Sequence, residues 1–127
     1  MAHLPGTADE IRARVPGVAE TYDYVRENVL LSGVADQGLK ELCFRFLAED
    51  PAVMDFSKFE GRERAALEWA LAIAWDSERA DDDLWERLHR YFTEAELVDL
   101  GCAIGFELGQ QHFLRTLGLR PEIPRVA

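Results

Sequence analysis

Residues 92–119 read FTEAELVDLGCAIGFELGQQHFLRTLGL. Thr93 and Glu96 have the spacing of a capping box, in which hydroxyl and carboxylate each take the other residue's backbone N–H at a helix start. Leu117-Gly118 supplies the matching stop. The stretch between them predicts one long helix, and strand-like alternation is absent here and throughout the chain.

Inside that helix, GCAIGFELGQQH (101–112) holds three glycines four apart, a cysteine, a glutamate and a histidine. A helix turns ~100° and rises ~1.5 Å per residue, so Gly101, Gly105 and Gly109 form a continuous groove with His112 on the same face. Each glycine costs ~1 kcal/mol in a helix interior. Three in register therefore predict a packing seam against a close neighbouring helix rather than a ligand groove. Cys102 lies ~15 Å along the axis from His112, too far for a thiolate–imidazole pair. Glu107 points ~140° away from His112 and cannot orient its ring from the same helix. His112 is expected as a packed histidine with a satisfied ring nitrogen.

Working outward, Asp81-Asp82-Asp83 open a helix whose stripe is Leu84, Trp85, Leu88, Tyr91 and Phe92. Acidic residues in a first turn are favoured by the helix dipole, and DDDLWE lacks the alternating pattern of a calcium loop. From Glu60 to about Glu78 a helix is apolar all round in its middle, the mark of burial, and its opening GRERAALE reads as a solvated face. Residues 51–59 read as a loop or a single turn. ADQGLKELCFRFLAED is a helix with Leu39, Leu42, Cys43, Phe46 and Leu47 on one side, ended by Pro51. Glu41 shares the other side with Phe44, Arg45 and Ala48, so two elements should pack on this helix, and Glu41–Arg45 has the spacing of a surface pair. PGVAETYDYVRENVLLSG places Val18, Tyr22, Val25 and Val29 at helical spacing, with Gly33 as the stop. Residues 1–16 form an N-terminal arm in which Thr7 and Glu10 can cap a short helix, closed by Pro16. The tail at 120–127, with two prolines, is extended or disordered. The expected fold is a single all-α domain, a bundle of five to six helices.

A net charge of -10 in 127 residues repels a phosphate backbone and an anionic membrane surface, which excludes nucleic acid and membrane as expected partners. The longest apolar run, WALAIAW (69–75), falls far short of the ~20 residues a spanning helix needs. Cys43 and Cys102 form neither a disulfide framework nor a CxxC pair, so reduced thiols and a cytoplasmic location are expected. His3, His89 and His112 lack metal-ligand spacing, and no phosphate loop or nucleophile elbow is present, so neither metal nor cofactor is expected.

Taken in order, the segments resemble the carboxymuconolactone decarboxylase and alkylhydroperoxidase D-like superfamily. PGVAETYDYVRENVLLSGVADQGLKELCFRFLA is similar to its opening helix pair, with Leu39, Glu41 and Leu42 as the L-x-E-L signature. Glu63, Arg64 and Leu67 match an E-R-x-x-L opening. Phe92, Thr93, Glu96, Leu97, Val98 and Leu100 match the joint before the last helix, and Leu117-Gly118 the close. The resemblance covers most of residues 17–119. Redox members carry a Cys-x-x-Cys and a histidine on a helix after the glutamate helix, a setting for thiol–disulfide chemistry. Here Ala48 leads through EDPAVMDFSKF into the Glu63-Arg64 helix, and that element is missing. Of the family's site only Glu41 carries over.

The resemblance implies an oligomeric binding or interaction protein without dithiol peroxidase activity. Loss of a packed helix should expose apolar surface around Phe44, which a second subunit would cover. A partner protein supplying the missing helix is a further reading. The enzymatic alternative is a lactone or organic-acid decarboxylase-like activity, or a single-cysteine peroxide reduction. It would use a pocket bounded by Glu41, Cys43 and His112 and open to a small organic acid or lactone.

Overall fold

The computed structural model describes residues 3–49 and 55–126. Among them are six α-helices and no strand: α1 Ala8–Ala13, α2 Pro16–Val25, α3 Gln37–Leu47, α4 Gly61–Trp75, α5 Asp82–Tyr91 and α6 Glu94–Thr116. No helix among the described residues is long and apolar enough to cross a membrane. Residues 50–54 of the bridge from α3 to α4, Pro51 among them, lie outside the described residues. The described part of that bridge makes a single 3-10 turn, Phe56–Lys58.

The helix ends follow their local chemistry. Both capping boxes form, Thr7 with Glu10 on α1 and Thr93 with Glu96 on α6. Asp81 caps α5 by accepting the Leu84 N–H at 2.9 Å. Pro16 opens α2 as its first residue, where a missing N–H costs nothing, rather than only closing the arm. After α6, Gly118 at φ 82° lets the Leu119 N–H reach the Leu114 carbonyl at 3.0 Å, a Schellman stop.

The main core lies among α3, α4, α5 and α6. Leu39, Cys43, Phe46 and Leu47 meet Ala66, Leu67 and Ala70, with Leu84, Leu88, Leu100 and Ile104 completing it. A second, smaller core lies on the other side of α3, where Phe44 packs with Leu30 and Ala103. Phe44 is fully buried, which overturns the expectation of exposed apolar surface around it. Its cover comes from this chain: Val25, Val29 and Leu31 pack there, with Ile123 of the tail. The tail is extended, and Arg125 Nε lies 3.7 Å from Glu41 Oε1.

The segment after α2 does not continue as an α-helix. Residues Arg26–Leu30 widen into a π turn, closed by the Leu31 N–H to the Arg26 carbonyl at 2.9 Å. Lys40, fully buried on α3, donates to the Val29 carbonyl at 2.8 Å, the Ser32 carbonyl at 2.5 Å and Asp99 Oδ1 at 2.8 Å. Asp99 Oδ2 accepts the Val34 and Ala35 N–H groups, both at 2.8 Å. One ammonium and one carboxylate thus clamp the 29–35 connection between α3 and α6. Gly33, at φ 117°, passes so near that a Cβ there would meet Asp99 Oδ1 at 2.6 Å.

The expected glycine seam is real at only one of its three positions. A Cβ on Gly101 would sit 2.7 Å from the Trp69 ring of α4, whereas Gly105 and Gly109 face open space. A short contact is therefore made at Gly101, whereas Gly105 and Gly109 are turned away from α4, which meets α6 again through Trp75 and His112. Gly101→Ala is expected to lose roughly 1–2 kcal/mol, overlap with Trp69 outweighing the gain in helix propensity. Gly105→Ala and Gly109→Ala should each gain about 0.5–1 kcal/mol, since nothing opposes that gain. Urea unfolding midpoints of the three variants check the difference in sign.

Candidate functional site

The three residues singled out from sequence occupy three separate environments. Cys43 is buried in the main core, and burial pushes its thiol up to about 12. A thiol held protonated in this way is a poor nucleophile. Glu41 is partly exposed and pairs with Arg125 of the tail, not with Arg45 as the spacing suggested. His112 lies against Trp75 with ring centroids 5.4 Å apart. Its Nε2 is buried without a hydrogen-bond partner among the described residues, contrary to the satisfied nitrogen expected. None of the three lines the polar cavity described next. Cys102, by contrast, is exposed. A thiol reagent should therefore label one cysteine per folded chain, Cys102, and reach Cys43 only in denaturant; mass mapping of the labelled peptide checks this.

The polar side chains gather elsewhere. The buried stripe of α6 runs Leu97, Leu100, Ala103, Ile104, Glu107, Gln111 and Leu114, so a glutamate and a glutamine stand in register with the apolar core positions. They meet a cavity of about 390 Å³ walled by α1, α2, the π turn and tail residues 121–124. That volume lies within the range of small-molecule sites.

Glu107 is 2% exposed. Burial raises its carboxyl to about 7, although the Gln111 hydrogen bond and the Arg12 charge both work downward. Gln111 Nε2 donates to Glu107 Oε2 at 2.8 Å and to the Phe44 carbonyl at 3.0 Å. These two bonds fix the amide's orientation and leave Oε1 buried with no donor among the described residues. Arg12, buried although it lies on α1, donates from Nε to Gln110 Oε1 at 2.9 Å and from an Nη to Asp9 at 3.1 Å. Its guanidinium carbon sits 3.6 Å from the centroid of the Tyr22 ring, a stacking that desolvation strengthens. Burial raises the Tyr22 hydroxyl above its ordinary value, with Arg12 opposing and Glu107 adding to the rise.

A carboxyl poised near neutrality in a concave site can exchange a proton with a ligand or hold a cation. From spacing alone Glu107 figures only as a group that cannot orient His112, and neither Arg12 nor Gln111 stands out. The signal was present: Glu107 and Gln111, four apart, continue the stripe of Leu97, Leu100 and Ile104. Arg12 and Tyr22 carried no such signal, because only packing brings α1 and α2 onto α6. Among the described residues no group of three His, Cys, Asp or Glu could hold a metal ion.

No protein-family model, curated protein or solved structure matches this chain.

Proposed function

We propose that this chain is a small-molecule-binding helical protein that works without thiol–disulfide chemistry, built like a shortened carboxymuconolactone decarboxylase or alkylhydroperoxidase D-like subunit. The observation that carries the binding reading is the cavity floored by Glu107 and Gln111, where a buried carboxyl near neutrality adjoins an orphan acceptor. Cavities with a few convergent polar groups and a perturbed carboxyl are the usual form of such a site. The burial of Cys43 and its raised thiol speak against the single-cysteine peroxide route. Peroxide turnover should be absent from the wild type and from Cys43→Ala alike; a rate that Cys43→Ala abolishes would remove this part of the reading.

The ligand reading is tested by soaking or titrating small organic molecules and following the ring signals of Tyr22 and the side-chain amide of Gln111. Shifts confined to these groups support it, and their indifference to every class of compound opposes it. The raised carboxyl also favours a second reading, an enzyme in which Glu107, rather than Glu41, acts as general acid or base. Lactone or organic-acid turnover that Glu107→Gln abolishes would favour that version.

Self-association belongs to the same proposal. Val15, Val18 and Phe106 are exposed and line an apolar groove of about 560 Å³ between α2 and α6, a surface suited to a second copy. Light scattering should show an oligomer, and Phe106→Glu should shift it toward monomer. A wild-type monomer at micromolar concentration would remove this part.

A further inference from the structure

The same cavity carries information about the class of ligand. We propose that it takes a small primary ammonium compound, held against the Glu107 carboxylate and the Gln111 side-chain oxygen. This rests on reading the cavity as a ligand site.

Three observations point to a cation that donates hydrogen bonds. First, the floor offers acceptors. Gln111 Oε1 has no donor among the described residues, and both protons of its amide are already committed to Phe44 and Glu107. A donor from the ligand removes the cost of burying an unpaired carbonyl. Second, the basic group whose charge acts on Glu107 is already paired. Arg12 forms an ion pair with Asp9, spends two of its five N–H donors on Gln110 and Asp9, and stacks its face on Tyr22, so an organic anion would have to compete with Asp9 for it. Third, acidic groups outnumber basic ones around the cavity. Asp9, Asp23, Glu107 and Glu122 face Arg12 and Arg26. That surplus of carboxylates favours an ammonium group over an organic acid.

Charged and titratable groups reach this space from every wall: Asp9 and Arg12 from α1, Tyr22 and Asp23 from α2, Arg26 from the π turn and Glu122 from the tail. Among them Glu107 is the carboxyl that changes charge near neutrality. An alkylammonium group keeps its charge up to about pH 10, so the pH dependence of binding belongs to the protein. When the ligand meets protonated Glu107, the carboxyl proton leaves to solvent and the ammonium takes its place as counter-charge. For a carboxyl at about 7, the ionised fraction rises about tenfold from pH 6 to pH 8, and affinity should follow it.

The experiment compares n-butylammonium, butyrate and γ-butyrolactone on the whole chain, by calorimetry and by the Tyr22 and Gln111 signals. Expected is butylammonium binding that tightens about tenfold between pH 6 and pH 8. At pH 6 it should release a proton, read as a dependence of the heat on the buffer's ionisation enthalpy. Glu107→Gln should weaken it by about tenfold or more at pH 8 and flatten the pH profile. The proton release needs no variant, so it decides the matter even if Glu107→Gln misfolds. Butyrate or lactone shifting the cavity signals while butylammonium does not would overturn the inference and leave the ligand site standing. So would butylammonium binding without proton release at pH 6. Silence from all three probes would overturn both.

Discussion

Lys40→Met is expected to cost about 3–5 kcal/mol, the usual penalty for removing one partner of a buried ion pair. For a domain of this size that corresponds to a fall in Tm of roughly 10–20 °C. The loss exceeds that of an ordinary hydrogen bond because three groups are stranded together. The Val29 and Ser32 carbonyls lose their donor, and Asp99 on α6 keeps its charge without a counter-ion. Adding Asp99→Asn should restore part of the stability, since an amide oxygen still accepts the Val34 and Ala35 N–H groups without carrying charge. If the double variant is no more stable than Lys40→Met alone, the unpaired charge is not the main cost.

The same pair sets a pH dependence. Burial alone would raise the Asp99 carboxyl, but hydrogen bonds from Ala35 and Lys40 outweigh it and hold the carboxyl below its ordinary value. A carboxyl lower in the folded than in the unfolded state binds its proton later. Its contribution is therefore whole above the unfolded-state value and is lost as pH falls through the folded one. Wild-type stability should drop on acidification below the ordinary carboxylate range, and the drop should be shallower in Asp99→Asn.

Glu107 runs the other way, and Glu107→Gln should make the folded chain more stable than wild type at pH 8, by about 3 kcal/mol. Its carboxyl stands at about 7 in the folded chain against 4.5 for the free side chain. Folded protein therefore holds a proton that unfolded protein has already lost between those values. The contribution is present below about pH 4.5 and fades as pH rises through about 7. Glutamine keeps the acceptor for the Gln111 amide and never ionises, so the gap between the two proteins should open above about pH 5 and level off near pH 8. Chemical unfolding at pH 5 and pH 8 measures it. A wild type as stable as Glu107→Gln at pH 8 would mean that the carboxylate is solvated, and the cavity would lose its most informative group.

Such a cost at neutral pH marks Glu107 as a group retained for something other than stability. A leucine would satisfy the stripe of α6 better, as Leu100 does two turns and Ile104 one turn earlier. Lys40 is a different case. It is equally buried, but all three of its donors are used and its counter-ion is in place, so it explains the path of the 29–35 connection and leaves nothing for a ligand.

The amino-acid sequence by itself determined the all-α class, the order of the helices and most of their ends, because these depend on interactions within a few residues. Thr93 with Glu96, Asp81 before Leu84 and Gly118 after α6 act over one turn, and the stripes of α3 and α5 follow from a 3.6-residue period. What only the tertiary structure decided is which buried polar groups meet. The partner of Lys40 lies 59 residues away, and Arg12 reaches Gln110 across 98. The cover of Phe44 comes partly from the tail, and the spacing of Gly101, Gly105 and Gly109 could not show that the neighbouring helix touches the first and that the other two face open space. Periodicity says which side of a helix is turned inward; what waits there is set by the path of the rest of the chain.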